Sequence, residues 1–273
     1  MIFFWLFSGF EGWGTAIANG DGTIVAVGEL GVNGFDGQVR VFEYANDSWS
    51  QMGTSITADV TDNVRFFGMG VALDSAGDTL AVTAPSNDSK AYIFDFDGSN
   101  WSQSGEFEIA TGSYSQISLS ADGNTVAVGD HNSNSAGEVS IYQNSGGAWN
   151  QLGSTIVGEA SNDSTGHTVE LNSDGTRVVI GAVFNDGSGS NAGHARVYEY
   201  SNSEWTQIGG DIDGDATNDY LGDAVSINSD GTIIAVGATS HDAVANQTTT
   251  AVTIRAYQNK RAGNHIRGSH FSV

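Results

Sequence analysis

The sequence predicts an all-β fold, a β-propeller of five four-stranded blades, with an incomplete six- or seven-bladed ring as the alternative. Three observations carry that expectation: a hairpin signature recurs five times along the 273 residues, an aromatic and β-branched run follows each copy, and four copies end in Trp-x-Gln. A period of roughly 50 residues with four strands per repeat is the size of a propeller blade. The composition agrees, since 37 Gly, 1 Pro and abundant Asn, Ser, Thr and Asp favour short strands joined by tight turns over helices.

The first two strands of each repeat come from the hairpins NGDGTIVAVG, DSAGDTLAVTA, SADGNTVAVGD, NSDGTRVVIGA and NSDGTIIAVGA, whose turn glycines are Gly22, Gly77, Gly123, Gly175 and Gly231. Asp-Gly, or Ala-Gly in the second copy, supplies the positive φ that a tight hairpin demands between two apolar runs. The third strand is QVRVFEY, AYIFDF, EVSIYQN, ARVYEY and VTIRAY in turn, rich in residues that suit a packed, pleated surface. A fourth strand starts at Trp49, Trp101, Trp149 and Trp205, each followed two residues later by Gln. Identical placement of these indoles in four repeats assigns them to packing between blades and not to stacking on sugars.

One propeller domain is expected over 1–257, with repeat units near 10–56, 57–108, 109–157, 158–213 and 214–257. The fifth unit stops after its third strand, near Tyr257, and Trp5-Leu6-Phe7-Ser8-Gly9 imitates Trp-x-Gln-x-Gly, so 1–9 is the candidate closing strand. Residues 258–273 fall outside the repeat and read as a tail. The apolar opening MIFFWLFSGF lacks a basic flank and is too short to span a bilayer, so it reads as a strand.

The formal charge is −23, from 32 acidic and 9 basic residues. That field repels phosphate backbones and anionic lipid surfaces, so neither nucleic acid nor membrane insertion is expected. It suits cations, neutral sugars and basic protein patches. There is no Cys, so disulfides and thiolate metal sites are excluded, and a zinc site would rest on His and carboxylates.

Alternating strand direction sorts the acids by loop. The second-to-third strand loops carry Asp88, Asp186 and Asp242, and the segments ahead of each first strand carry Asp62, Asp163 and Asp219, so all six are expected on one side as a ligand-binding face. A glycan or a protein ligand is the expected partner. The competing reading is that each Asp turns back onto its own loop backbone. Asp211, Asp213, Asp215 and Asp219 form the densest carboxylate run, and their spacing is that of an oxygen-ligand Ca²⁺ loop. Its Gly is misplaced for that role, and Ile212, aligned with Ile56 and Ile156, reads as a strand residue; no cofactor is required. His131, His167, His194 and His241 stand at unlike repeat positions, which argues against a shared site. No nucleophile elbow or phosphate loop appears, and no catalytic residue is expected.

The runs from one Trp to the next hairpin, WNQLGSTIVGEASNDSTGHTVELNSDGTRVVIGA (149–182) and WTQIGGDIDGDATNDYLGDAVSINSDGTIIAVGA (205–238), resemble the FG-GAP repeats of integrin-α-like propellers. The likeness extends from Gly9 to Tyr257, and its Phe-Gly element is literal only at Phe67-Gly68. It implies a non-enzymatic binding or adhesion module, extracellular or at the cell surface. The Ca²⁺ loops of that family do not carry over, because the turn between the first two strands here is too tight for a nine-residue cation loop. A polysaccharide-acting propeller hydrolase is the alternative expectation. An intracellular WD40-like scaffold is a minor one, since the Trp-Asp strand ending is missing.

Overall fold

The computed structural model describes residues 15–58, 64–85, 89–109 and 116–241, with Asn134 and His241 as backbone only, and the backbone of 251–258 and 267–272. Among these residues the strands form five antiparallel sheets, the expected propeller architecture. The first sheet is β1 (Ala16–Ala18), β2 (Ile24–Glu29), β3 (Gln38–Ala45) and β4 (Ser48–Gln51). The second is β5 (Val71–Leu73), β6 (Thr79–Ala84), β7 (Lys90–Phe96) and β8 (Trp101–Glu108). The third holds β9 (Gln116–Leu119), β10 (Thr125–Asp130), β11 (Glu138–Ser145), β12 (Ala148–Gln151) and β13 (Ile156–Val157). The fourth holds β14 (Thr165–Leu171), β15 (Arg177–Ala182), β16 (His194–Ser201), β17 (Glu204–Gln207) and β18 (Ile212–Asp213). The fifth is β19 (Leu221–Ile227), β20 (Ile233–His241), β21 (Ala251–Gln258) and β22 (Arg267–Ser272). The chain divides into two compact units, Met1–Gly112 with the first two sheets and Ser113–Val273 with the other three.

The five hairpin glycines have φ between 67° and 80°, as their turns require. A side chain just before each turn closes it. Asn19 Oδ1, Asn172 Oδ1 and Asn228 Oδ1 accept the backbone N–H five residues on, at 2.9, 2.8 and 2.8 Å. Asp21 and Asp230 bind the Thr two residues ahead through both its N–H and its hydroxyl. Those bonds, the hydroxyl bond first, hold both carboxyls below the usual carboxylate range.

Within each unit, one face of a sheet packs on the next. In the first unit, Ile24, Ala26, Val39 and Val41 meet Leu80, Val82, Tyr92 and Phe94. In the second, Ala127, Val139 and Ile141 meet Val178, Ile180 and Tyr198, and Val179, Ala195 and Val197 meet Leu221, Ile234 and Val236. The recurrent Trp pins these layers together: Trp101 Nε1 donates to Met52 O at 3.1 Å and Trp205 Nε1 to Leu152 O at 2.7 Å.

A second recurrent glycine sets how closely the sheets approach. A Cβ at Gly28 would sit 2.0 Å from Gly68 O, one at Gly129 2.2 Å from Gly166 O, and one at Gly181 2.1 Å from Gly222 O. The penultimate glycines of β2, β10 and β15 therefore seat the start of the following sheet. Gly166 and Gly222 lie at register breaks in β14 and β19, between Thr165 and Thr168 and between Leu221 and Ala224.

Two features depart from the repeat as read. The outer strand is interrupted, so that β13 and β18 pair with β11 and β16 beyond β12 and β17. The fourth strand of the fifth sheet is β22, which pairs with β21 through six residues and comes from the segment set aside above as a tail. It carries no Trp-x-Gln, which is why it escaped the pattern. The candidate closing strand at 1–9 lies outside the described residues.

Candidate functional site

Of the six loop carboxylates, Asp62, Asp88 and Asp242 lie outside the described residues. Asp163 and Asp219 are buried, at 3% and 2% exposure, which removes them from a solvent-facing ligand surface. Each is a loop tie. Asp163 Oδ2 accepts Ala160 N–H and the Asn185 side-chain amide, both at 3.0 Å, and Asp219 Oδ2 accepts the N–H groups of Asp215 and Ala216 at 2.9 and 2.8 Å. Asp186 is exposed and accepts Asn191 N–H at 2.7 Å. For these three the place in the repeat has a backbone cause, since each accepts N–H groups where its loop bends.

The run Asp211, Asp213, Asp215, Asp219 does not wrap around one point. Ile212 is buried in β18, which sends Asp211 and Asp213 outward, and Asp219 faces its own loop. Asp211 instead meets residues from elsewhere. Ligand atoms of Glu159, His194 and Asp211 all lie within 4.8 Å of one another. Glu159 follows β13, His194 opens β16 and Asp211 precedes β18, so the cluster sits where the third and fourth sheets meet. His194 is 1% exposed and its Nε2 makes no hydrogen bond among the described residues. Burial, reinforced by the Arg196 guanidinium, pushes its pKa down to about 4, so the ring is neutral at pH 7. Arg196 is itself buried and faces Glu159 Oε1 at 3.3 Å.

A second constellation forms around a pair of bulges. His167 in β14 and Asp223 in β19 occupy the same place, one residue beyond Gly166 and Gly222. The register breaks turn both side chains toward each other, a common use of β-bulges. His167 Nε2 stands 3.3 Å from Asp223 Oδ1, with the side chains 32% and 37% exposed, which leaves both open to solvent. The His131 ring, just beyond β10, lies 5.5 Å from the His167 ring, edge to face. Nearby on β14, burial raises the Glu170 carboxyl above its ordinary value against bonds from Ser226 and the Ile227 backbone. The repeat positions of His131 and His167 differ, so only the packing of one sheet on the next brings them together.

No protein-family model matches the chain, and no curated protein matches it. Solved structures do. A protein of unknown function from Desulfotomaculum acetoxidans is 12% identical with a TM-score of 0.66, over 94% of this chain and 69% of that one. The periplasmic gluconolactonase of Pseudomonas aeruginosa is 13% identical with a TM-score of 0.60, over 94% and 71%. A candidate 6-phosphogluconolactonase from Bacteroides uniformis is 11% identical with a TM-score of 0.58, over 94% and 84%. At such identity the likeness shows the fold. Two of these three carry enzyme names, which corrects the expectation of a non-enzymatic adhesion module: the repeat that suggested adhesion folds into an architecture that proteins named as lactonases share. No helix among the described residues is long and apolar enough to cross a membrane.

Proposed function

We propose that this chain is a propeller hydrolase whose substrate is a neutral sugar lactone, with His167 as general base and Asp223 as the group that orients it. The observation that carries the reading is the half-exposed His167–Asp223 pair, built by two matching bulges. With Asp223 accepting from Nε2–H, His167 Nδ1 is left as the basic atom. It takes a proton from water, the hydroxide adds to the lactone carbonyl carbon, the ring C–O bond breaks, and the proton passes to the departing ring oxygen. The product is the hydroxy acid. His131 stands beside His167 as a second proton carrier.

The charge of −23 favours a neutral substrate over a phosphorylated one and helps expel a carboxylate product. The named lactonases among the structural neighbours support the same class. Glycoside cleavage in polysaccharides commonly takes two carboxylates, acid and base or nucleophile; here Asp223 is committed to an imidazole. Two finer readings go with this one. The five sheets are taken as five blades of one propeller, supported by one hairpin signature per sheet. The FG-GAP resemblance, supported by the repeat motifs alone, favours a place outside the cytoplasm.

The test is acid release from glucono-δ-lactone above the spontaneous rate, in parallel with reducing-end release from starch, xylan and laminarin, for the native chain and His167→Gln. Lactone turnover that falls at least about 100-fold in His167→Gln, with no polysaccharide turnover, is the expected result. Turnover of a polysaccharide alone, or lactone turnover indifferent to His167→Gln, overturns the proposal.

A further inference from the structure

At the seam between the third and fourth sheets, His194 opens β16 on the face that packs against the preceding sheet. The residues at that register place in the first three sheets, each pairing with the last residue of the second strand, are Gln38, Lys90 and Glu138. Gln38 donates to Glu29, and Lys90 pairs with Glu106 at 2.7 Å. Opposite His194 stand Ala182 of β15 on one side and Asp213 of β18 on the other, and the buried Nε2 is left without a hydrogen bond among the described residues. A buried ring nitrogen costs free energy unless it binds something.

The groups beside the imidazole are carboxylates from two different loops, Glu159 and Asp211, both exposed and so able to move. Each already has an oxygen held by a donor. Arg196 faces Glu159, and Gln207 Nε2 donates to Asp211 Oδ1 at 2.6 Å. Outer donors of this kind orient carboxylates that bind metals. The imidazole is fixed by burial, while the two carboxylates need only small rotations to bring ligand atoms from within 4.8 Å to the spacing a small cation demands. We propose that Glu159, His194 and Asp211 bind a divalent first-row transition cation, with Zn²⁺ as the fitting probe, clamping the loop after β13 to the fourth sheet. One nitrogen and two carboxylate ligands suit such an ion better than Ca²⁺, which takes oxygen. The site shares no residue with the His167–Asp223 pair.

The experiment is calorimetric titration of the chelator-treated full chain with ZnCl₂ and, separately, CaCl₂. Visible spectra with Co²⁺ then report a nitrogen ligand. The double variant Glu159→Gln/Asp211→Asn changes only exposed positions, and His194→Ala is read together with circular dichroism. Glu43→Gln, exposed and remote in sequence, controls for loss of general negative charge. One equivalent of Zn²⁺, weakened at least about 100-fold in the double variant and unchanged in Glu43→Gln, is the expected result, since losing a ligand must cost at least what losing an outer donor costs. Zinc binding that is absent, equal in the double variant, or weaker than Ca²⁺ binding overturns the proposal. Glucono-δ-lactone turnover is measured on the same samples; its loss or survival bears on His167 and leaves the metal result to stand alone.

Discussion

In the first sheet Arg40 lies opposite Val27, on the face that also carries Glu29 and Gln38; in the fourth, Arg196 holds the same place opposite Ile180, with Ala182 where Glu29 would stand. Glu29, 7% exposed, accepts from Arg40 Nε at 2.9 Å and from Arg40 Nη2 and Gln38 Nε2, so the first sheet satisfies its own buried acid. The fourth sheet has Ala182 in place of that acid on its second strand, and its own acid there, Asp213, comes from the outer strand β18 opposite His194. Arg196 and His194 look instead to Glu159 and Asp211, which arrive from loops and keep contact with solvent. One register position thus serves as closed structure in one repeat and as an open, chemically capable cluster in another. The lesson concerns repeats generally: the ladder fixes where a side chain goes, and a single residue opposite it decides whether any binding capacity is left over.

The largest effect is expected where the shared frame itself is broken. Gly181→Ala puts a methyl 2.1 Å from Gly222 O and 2.4 Å from Thr168 Oγ1, and neither sheet can retreat without moving the bulge that carries Asp223. A loss of about 3 kcal/mol in urea unfolding is expected. Gly210→Ala, whose Cβ would meet nothing within 4 Å, is expected to stay within about 0.5 kcal/mol of the native chain. Equal losses for the two would break the account of the frame.

Next come the two guanidinium partners. Glu29→Ala leaves Arg40 without its buried acid and is expected to cost about 2 kcal/mol, less than a fully buried pair because the Arg40 side chain is 28% exposed. Glu159→Gln removes a partner that is 49% exposed, and its cost in metal-free protein is expected to stay below about 1 kcal/mol. A reversed order would show that the fourth sheet depends on its loop acids as the first depends on Glu29.

The smallest effect sharpens the contrast between buried Glu29 and half-buried Glu170. Glu170 has Ser226 and the Ile227 backbone where Glu29 has Arg40, and burial raises its carboxyl above the ordinary 4.5. A carboxyl raised on folding favours the native state below its unfolded pKa, and that contribution is lost as pH rises through the folded value. Glu170→Gln should therefore raise the melting temperature at pH 7 and leave it unchanged near pH 4. A gain of equal size at both values would assign the effect to packing and not to charge.

Much of the scaffold was legible in the residues. The five hairpin glycines, the third strands and the Trp-x-Gln strands stand where local turn chemistry and β-propensity put them. Ile212 was readable as a strand residue because it aligns with Ile56 and Ile156, each of which pairs with a third strand. What escaped was whatever depends on contact between repeats. His131 and His167 come from different sheets, and the Glu159 carboxylate reaches His194 only because the sheets stack. The loop acids misled for the opposite reason: Asp163 and Asp219 recur because turns need them, and recurrence alone does not separate a turn tie from a ligand. The penultimate glycines of β2, β10 and β15 were a signal of close approach that composition alone does not interpret.

The most direct test of the functional claim is kcat/KM on glucono-δ-lactone for Asp223→Asn beside the native chain. Replacing the carboxylate should leave the fold intact and strip His167 of the partner that fixes its tautomer, with a loss on the order of 100-fold or more. Undiminished turnover in Asp223→Asn, or a native chain that hydrolyses the lactone no faster than buffer, would contradict it.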